Sequence, residues 1–297
     1  MSAGATSDRA PAGLALLLPF VLVSFAANSL ITRHVVGQDL LDAGLLTGVR
    51  FLAGAVALLL LAGVRRERLR TGRDTLLPAL WLGLYAVFIS YGYVHIGAAA
   101  GTFVFYAAVL LTLVAVDRRS GGRLPGRRIA GAAVALVGIG VLASDSVDTV
   151  SLLGVVLLAA TGVAWGLYTA AGRGRADPRQ TTTANFAVLA LVCLVPTAAG
   201  MAAGLQVTVP GLLWGTAMGA GTTAFAYVAW YACQRRLTGA QAGLVQLVIP
   251  VLTTAGAVLL LGEPLTVRLL VAAVLVGLGM WLGRAVPART PAPSAAR

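Results

Sequence analysis

LVQLVIPVLTTAGAVLLLGEPLT, residues 244–266, is an apolar run with Pro250 inside it and Gly262-Glu263-Pro264 near its end. A proline within such a run breaks a helix in water, because it removes one N–H and its ring clashes with the preceding turn. In lipid it is tolerated, since neighbouring helices and waters satisfy the freed carbonyls. The abrupt polar end predicts a spanning helix that stops at an interface. Glu263 is the only Glu in the last two thirds of the chain.

Composition points the same way. The chain has 297 residues, 59% hydrophobic and 11% charged, against about 25% charged in a soluble domain. A polytopic membrane protein in a lipid bilayer is the default for such a chain. All 22 basic residues are Arg, and the net charge is +12. A strongly basic balance can mark a nucleic-acid binder. Here the arginines fall in short loops between apolar runs, where they set topology, so no nucleic-acid partner is expected. Cys193 and Cys233 lie inside apolar runs and read as small hydrophobes. No pattern of metal ligands or cofactor-binding residues is present, so neither a metal nor a cofactor is expected.

A hydrocarbon core about 30 Å thick needs about 20 apolar residues per helix. By that measure the chain reads as an all-α integral membrane protein with ten transmembrane helices. They fall near 13–34, 43–63, 127–144, 150–172, 239–262 and 265–285. Two more divide the run 75–116 at Gly97 to Gly101, and two divide 180–234 at Gly204 to Pro210. The first run is longer than a secretory signal and is kept as a span. The tail 287–297 is Pro/Ala-rich and is expected to be disordered. With both termini cytoplasmic, 19 of the 22 arginines lie on the inner side and only Arg33 and Arg268 outside. That bias predicts a multi-pass protein of the cell (plasma) membrane with an even helix count.

The chain also reads as duplicated. Arg123-Leu-Pro125…Gly138-x-Gly140 parallels Glu263-Pro264…Gly277-x-Gly279. Phe25-x-x-Asn28…Arg33 parallels Trp165-x-x-Tyr168…Arg173. Both pairs imply nearly the same offset, about half the chain. The units are residues 1–146 and 147–286, five helices each. An odd number of crossings makes the repeats inverted, a transporter signature with the substrate near the midplane.

The pattern around Pro250 and Gly262-Glu263-Pro264-Leu265 resembles the second-last helix of the EamA family of the drug/metabolite transporter superfamily. Gly48-Val-Arg50-Phe51-Leu52-Ala53 is similar to that family's Arg-Phe pattern, and Gly277-x-Gly279 to its last helix. The chain departs from the pattern at Val109-Leu110-Leu111, where many members carry a proline, and at Arg123-Leu124, which replaces Gly-Glu. The resemblance implies ten helices, alternating access around a central cavity, and movement of a small-molecule metabolite, often by export. It also implies that helices 1, 3, 4, 6, 8 and 9 line the cavity.

Arg50 is the one charge read well inside a helix, roughly 10 Å below the outer surface at about 1.5 Å per residue from Ala43. A centred Arg costs at least about 2.5–3.5 kcal/mol on insertion scales, so it needs a partner. Two roles compete: a counter-charge for an anionic substrate, and a structural Arg capping helix-end carbonyls or pairing with an outer-loop Asp. The structural or gating role is favoured for Arg50, as for Pro250 and Glu263. Glu263 is expected to fix the turn into the last helix, whose N-terminus attracts negative charge.

Polar and aromatic groups at mid-depth are the cavity candidates: Tyr91, His95, Thr102, Tyr227 and Tyr231, and above all Asn28, Tyr106, Trp165, Tyr168 and Gln246. These five are expected to bind substrate. Amino acids or related compounds suit such a lining. The small-residue spacings Gly97-x-x-x-Gly101, Gly162-x-x-x-Gly166 and Gly215-x-x-x-Gly219 read as packing devices. Not being an enzyme is the expectation, since no catalytic dyad, metal cluster or phosphate-binding loop is visible. A membrane-embedded enzyme and a scaffold without transport activity are the alternatives. Nothing in the pattern specifies an oligomer, a coupling ion or one substrate.

Overall fold

Apolar runs this long leave the backbone only one economical solution in lipid, which is to hydrogen-bond to itself. The computed structural model describes residues 12–67, 72–119, 126–143, 151–172, 177–234, 245–246 and 248–283, and among them it is helical with no strand. The helices are α1 (Ala12–Gly37), α2 (Ala43–Val64), α3 (Arg73–His95), α4 (Ala98–Arg119), α5 (Gly126–Ala143) and α6 (Leu152–Gly172). They continue as α7 (Pro178–Ala202), α8 (Val209–Ala217), a π-helical segment (Met218–Phe225), α9 (Ala226–Gln234), α10 (Val248–Leu261) and α11 (Val267–Gly283). Of these, α1, α2, α3, α4, α6 and α7 are long and apolar enough to cross a membrane. Leu60, Leu191, Val195, Leu259, Leu260 and Val274 are exposed on different helices. Such an apolar exterior suits acyl chains and not water. The expected tail 287–297 lies outside the described residues.

Side chains and backbone amides tie the helix ends together. Asp42 caps α2 by accepting from the amides of Gly44 and Leu45, and Asp177 caps α7 in the same way. Thr208 caps α8 and also donates its hydroxyl to the Leu40 carbonyl at 2.7 Å. Leu41 and Val207 form an antiparallel bridge. The start of α2 therefore lies beside the end of α7. At the opposite end of the same two helices, Arg179 pairs with Glu67 at 2.7 Å. So α2 and α7 pack antiparallel. The amide of Ser151, just before α6, donates to the carbonyl of His95 at the end of α3.

Without a hydrophobic force between helices in lipid, close approach depends on small residues. Gly162 and Gly166 of α6 lie directly on α4, where a Cβ would strike the Phe105 carbonyl and the Thr112 side chain. Gly219 lies on the backbone of Arg50, bringing the π segment against α2.

That π segment differs from the sequence expectation, which had one regular helix there. Residues 209–234 are continuously helical but change pitch at Met218–Phe225. The local sequence explains the weakness. Gly219 and Gly221 have low helix propensity, and the Thr222 hydroxyl donates to the Met218 carbonyl at 3.3 Å, competing with the backbone ladder.

Candidate functional site

Trp165 of α6 is the hub of a buried aromatic cluster. Its ring centre lies 5.4 Å from Phe25, 5.1 Å from Tyr85, 5.6 Å from Tyr168 and 5.0 Å from Tyr227. Edge-on and tilted contacts of this kind set the positive ring edge against a negative face. The indole N–H donates to Gln246 Oε1 at 3.3 Å. Tyr168 stacks on Tyr231 at 5.3 Å. Three of the five sequence candidates, Trp165, Tyr168 and Gln246, thus form one connected group. Tyr106 joins it indirectly: its ring lies 4.5 Å from Phe105, which lies 5.9 Å from Tyr85.

Asn28 belongs to a second, polar cluster, one turn of α1 beyond Phe25. Its Oδ1 accepts from the hydroxyls of Thr223 at 3.1 Å and Thr222 at 3.3 Å. One turn further, the Thr32 hydroxyl donates to the Asn28 carbonyl at 2.7 Å and accepts from Arg50 Nη2 at 3.0 Å. Arg50 Nη2 also approaches the thioether of Met218 at 3.6 Å. Arg50 is 0% exposed. Among the described residues, its Nε and Nη1 have no hydrogen-bond partner, nor does Asn28 Nδ2. The partners expected from sequence, helix-end carbonyls or an outer-loop Asp, are not the ones it has. Asp42 is committed to its own helix cap. The two clusters adjoin along α1, where Phe25 of the first lies one turn before Asn28 of the second.

Glu263 departs from expectation in a different way. It does not serve the helix that follows it. Its carboxylate crosses to the start of α4 and accepts from the amides of Ala98 at 2.6 Å and Ala99 at 3.0 Å. Arg33 Nε lies 3.7 Å from the same carboxylate, and Arg33 Nη1 donates to the Tyr93 carbonyl at 2.7 Å. Sequence reasoning had the right chemistry, an acid at a helix N-terminus, but chose the helix next in the chain. Residue 97 had to be small, since a Cβ there would meet the carboxylate at 2.8 Å. Pro250 is buried in α10, near its start.

Of the wider candidates, Tyr91 and His95 are exposed at the end of α3. Thr102 shares a 3.0 Å hydroxyl contact with Tyr93. Tyr227 is in the aromatic cluster. The residues missed from sequence are Phe25, Tyr85, Thr32, Met218, Thr222 and Thr223. The threonine pair and the glycines of Met218–Phe225 were visible, but a π turn has no one-dimensional signature.

A bundle with an apolar exterior and buried polar and aromatic groups fits a polytopic membrane protein. The profile of the EamA-like transporter family matches residues 152–283. PA1977, an uncharacterised protein of Pseudomonas aeruginosa, is 35% identical over 255 residues, covering 86% of this chain and 88% of the relative. An uncharacterised transporter of Archaeoglobus fulgidus is 26% identical over 205 residues, covering 68% and 73%. A solved crystal structure at 20% identity superposes with a TM-score of 0.64 over 91% of this chain and 96% of its own. The chain belongs to the EamA-like transporter family and is a multi-pass membrane protein.

Proposed function

We propose that the protein is a secondary transporter that exports small metabolites, amino acids or related compounds, by alternating access between two inverted five-helix repeats. The observation that carries this is the joined pair of clusters in the bundle interior. Aromatic rings from α1, α3, α6 and α9 meet polar groups from α1, α2 and the π segment. Packing supports the repeats. Residues 1–146 and 147–286 make α1 and α6 counterparts, likewise α2 and α7, α4 and α10, α5 and α11. In three of these pairs the two run in opposite directions: α2 and α7 as described above, α4 begins where α10 ends, at Glu263, and Gly279 of α11 lies on Gly131 of α5 while Gly138 lies on Val276. The family profile covers 152–283, close to the second unit. Asn28, Tyr106, Trp165, Tyr168 and Gln246 border the cavity on this reading.

The arginine bias supports cytoplasmic termini in the plasma membrane. Arg65, Arg66, Arg118, Arg119 and Arg179 fall at one end of the bundle, with Glu67. Reporters fused after Arg70 and Arg175 are expected inside, and after Asp42 outside. The test of function is reconstitution into liposomes with a labelled metabolite panel. Protein-dependent movement of at least one metabolite is expected. A folded, correctly inserted protein that moves none would favour a scaffold.

A further inference from the structure

We propose that Arg50 is the counter-charge for a carboxylate on the transported substrate, with Asn28 as a second donor beside it. This rests on the transporter reading above and adds the chemical class of the substrate. A guanidinium carries five N–H donors and stays protonated in proteins. One Arg50 donor meets the Thr32 hydroxyl, and the thioether of Met218 is a weak acceptor. Nε and Nη1 have no partner, and Asn28 Nδ2 lies one turn of α1 from Thr32 with none either. Among the described residues, no acidic side chain lies within ion-pair distance of Arg50: the acids near helix ends are engaged elsewhere, Glu263 with Arg33 and Glu67 with Arg179. The guanidinium therefore holds a whole positive charge in a low-dielectric interior with donors open.

A purely structural Arg would cap carbonyls or neutralise an acid, and among the described residues this one does neither. Thr32 does not need it, because its hydroxyl already donates to the Asn28 carbonyl. Open donors with one positive charge complement one oxyanion. The neighbourhood narrows the choice further. Among the described residues Arg50 is the one buried cation, so a doubly charged phosphate group would be left half compensated. The aromatic cluster of Phe25, Tyr85, Trp165 and Tyr227 adjoins along α1, Phe25 lying one turn before Asn28. The site therefore fits a monocarboxylate whose remaining body is apolar or aromatic. Arg50 has no exposed surface in this conformation, so the ligand reaches it when helices part, as alternating access requires. The contact of Gly219 on α2 is the seam beside it.

Purified full-length protein in detergent tests this with matched probes that differ only at the carboxylate: leucine, phenylalanine and benzoate against their carboxamides. Thermal-shift titration should give the acids an advantage of about tenfold or more in half-maximal concentration. Arg50→Gln should bring the acid-to-amide ratio close to one, and Arg50→Lys should keep part of it, since a point charge remains. A merely structural Arg50 would change yield without changing that ratio. Equal response to acid and amide overturns the proposal, as does a wild-type preference that survives in Arg50→Gln, or no response to any acid. If Arg50→Gln does not fold, the wild-type ratio and Arg50→Lys decide. Liposome transport of amides or cations with no preference for acids would remove this assignment and leave the transporter reading standing.

Discussion

Glu263 and Arg50 both bring charge into the helix bundle, but their surroundings are opposite. The Glu263 carboxylate takes two backbone amides from α4 and has Arg33 beside it. Among the described residues, the Arg50 guanidinium has a hydroxyl, a thioether and no acidic partner. A charge whose bonds are filled by its own protein holds structure. A charge left with open donors in low dielectric costs stability in the resting protein, which is why we propose a ligand for it. The comparison separates an answered charge from an unanswered one on contacts alone, though both look alike as single charges in apolar sequence.

The largest expected effect comes from Gly219→Leu. A side chain there would run into the Arg50 backbone, which cannot move as a rotamer can. Loss of about 3 kcal/mol or more is expected, read as a lowered melting temperature in detergent. It would break the polar cluster without touching a polar group. Normal melting would mean that the π segment is not held against α2.

Arg50→Met sharpens the contrast by sign. Removing an unpaired buried charge with roughly conserved volume should raise stability by about 1–2 kcal/mol, while carboxylate selectivity is lost. A destabilised Arg50→Met would place Arg50 with Glu263 as a structural group. Glu263→Ala should move the other way, losing about 1 kcal/mol as α4 loses its cap. Smallest is Arg33→Ala. Its link to Glu263 is partly exposed and 3.7 Å long, so well under about 1 kcal/mol is expected from that pair. If Arg33→Ala cost more than Glu263→Ala, the ion pair and not the amide cap would be the main tie at that end.

The helices themselves were legible because lipid demands unbroken apolar runs. Ala43–Val64 and Leu152–Gly172 fall almost on the runs read at 43–63 and 150–172. The break before α8 was legible from Gly204 and Pro210, and Pro210 does stand in the first turn of α8. Trp165, Tyr168 and Gln246 were legible as polar and aromatic groups within apolar runs. Tyr85 and Phe25 were not, since an aromatic residue in an apolar run does not announce its face. Asn28 was picked out for its polarity, but its partners Thr222 and Thr223 lie 194 and 195 residues away.

By itself, the sequence determined the solvent, the helical state and the segments. Those follow from local composition, because each backbone amide in lipid must be satisfied within its own segment. It also determined which residue types were available at depth. Only the tertiary structure decided which charge was answered and by whom. Glu263 found its amides at the start of α4, 165 and 164 residues away, and not at the helix beside it. Arg50 met Thr32 and Met218 and left two nitrogens open. Pairing across such separations is set by how helices pack, through small contacts such as Gly219 on α2, and packing partners are not encoded in any one segment.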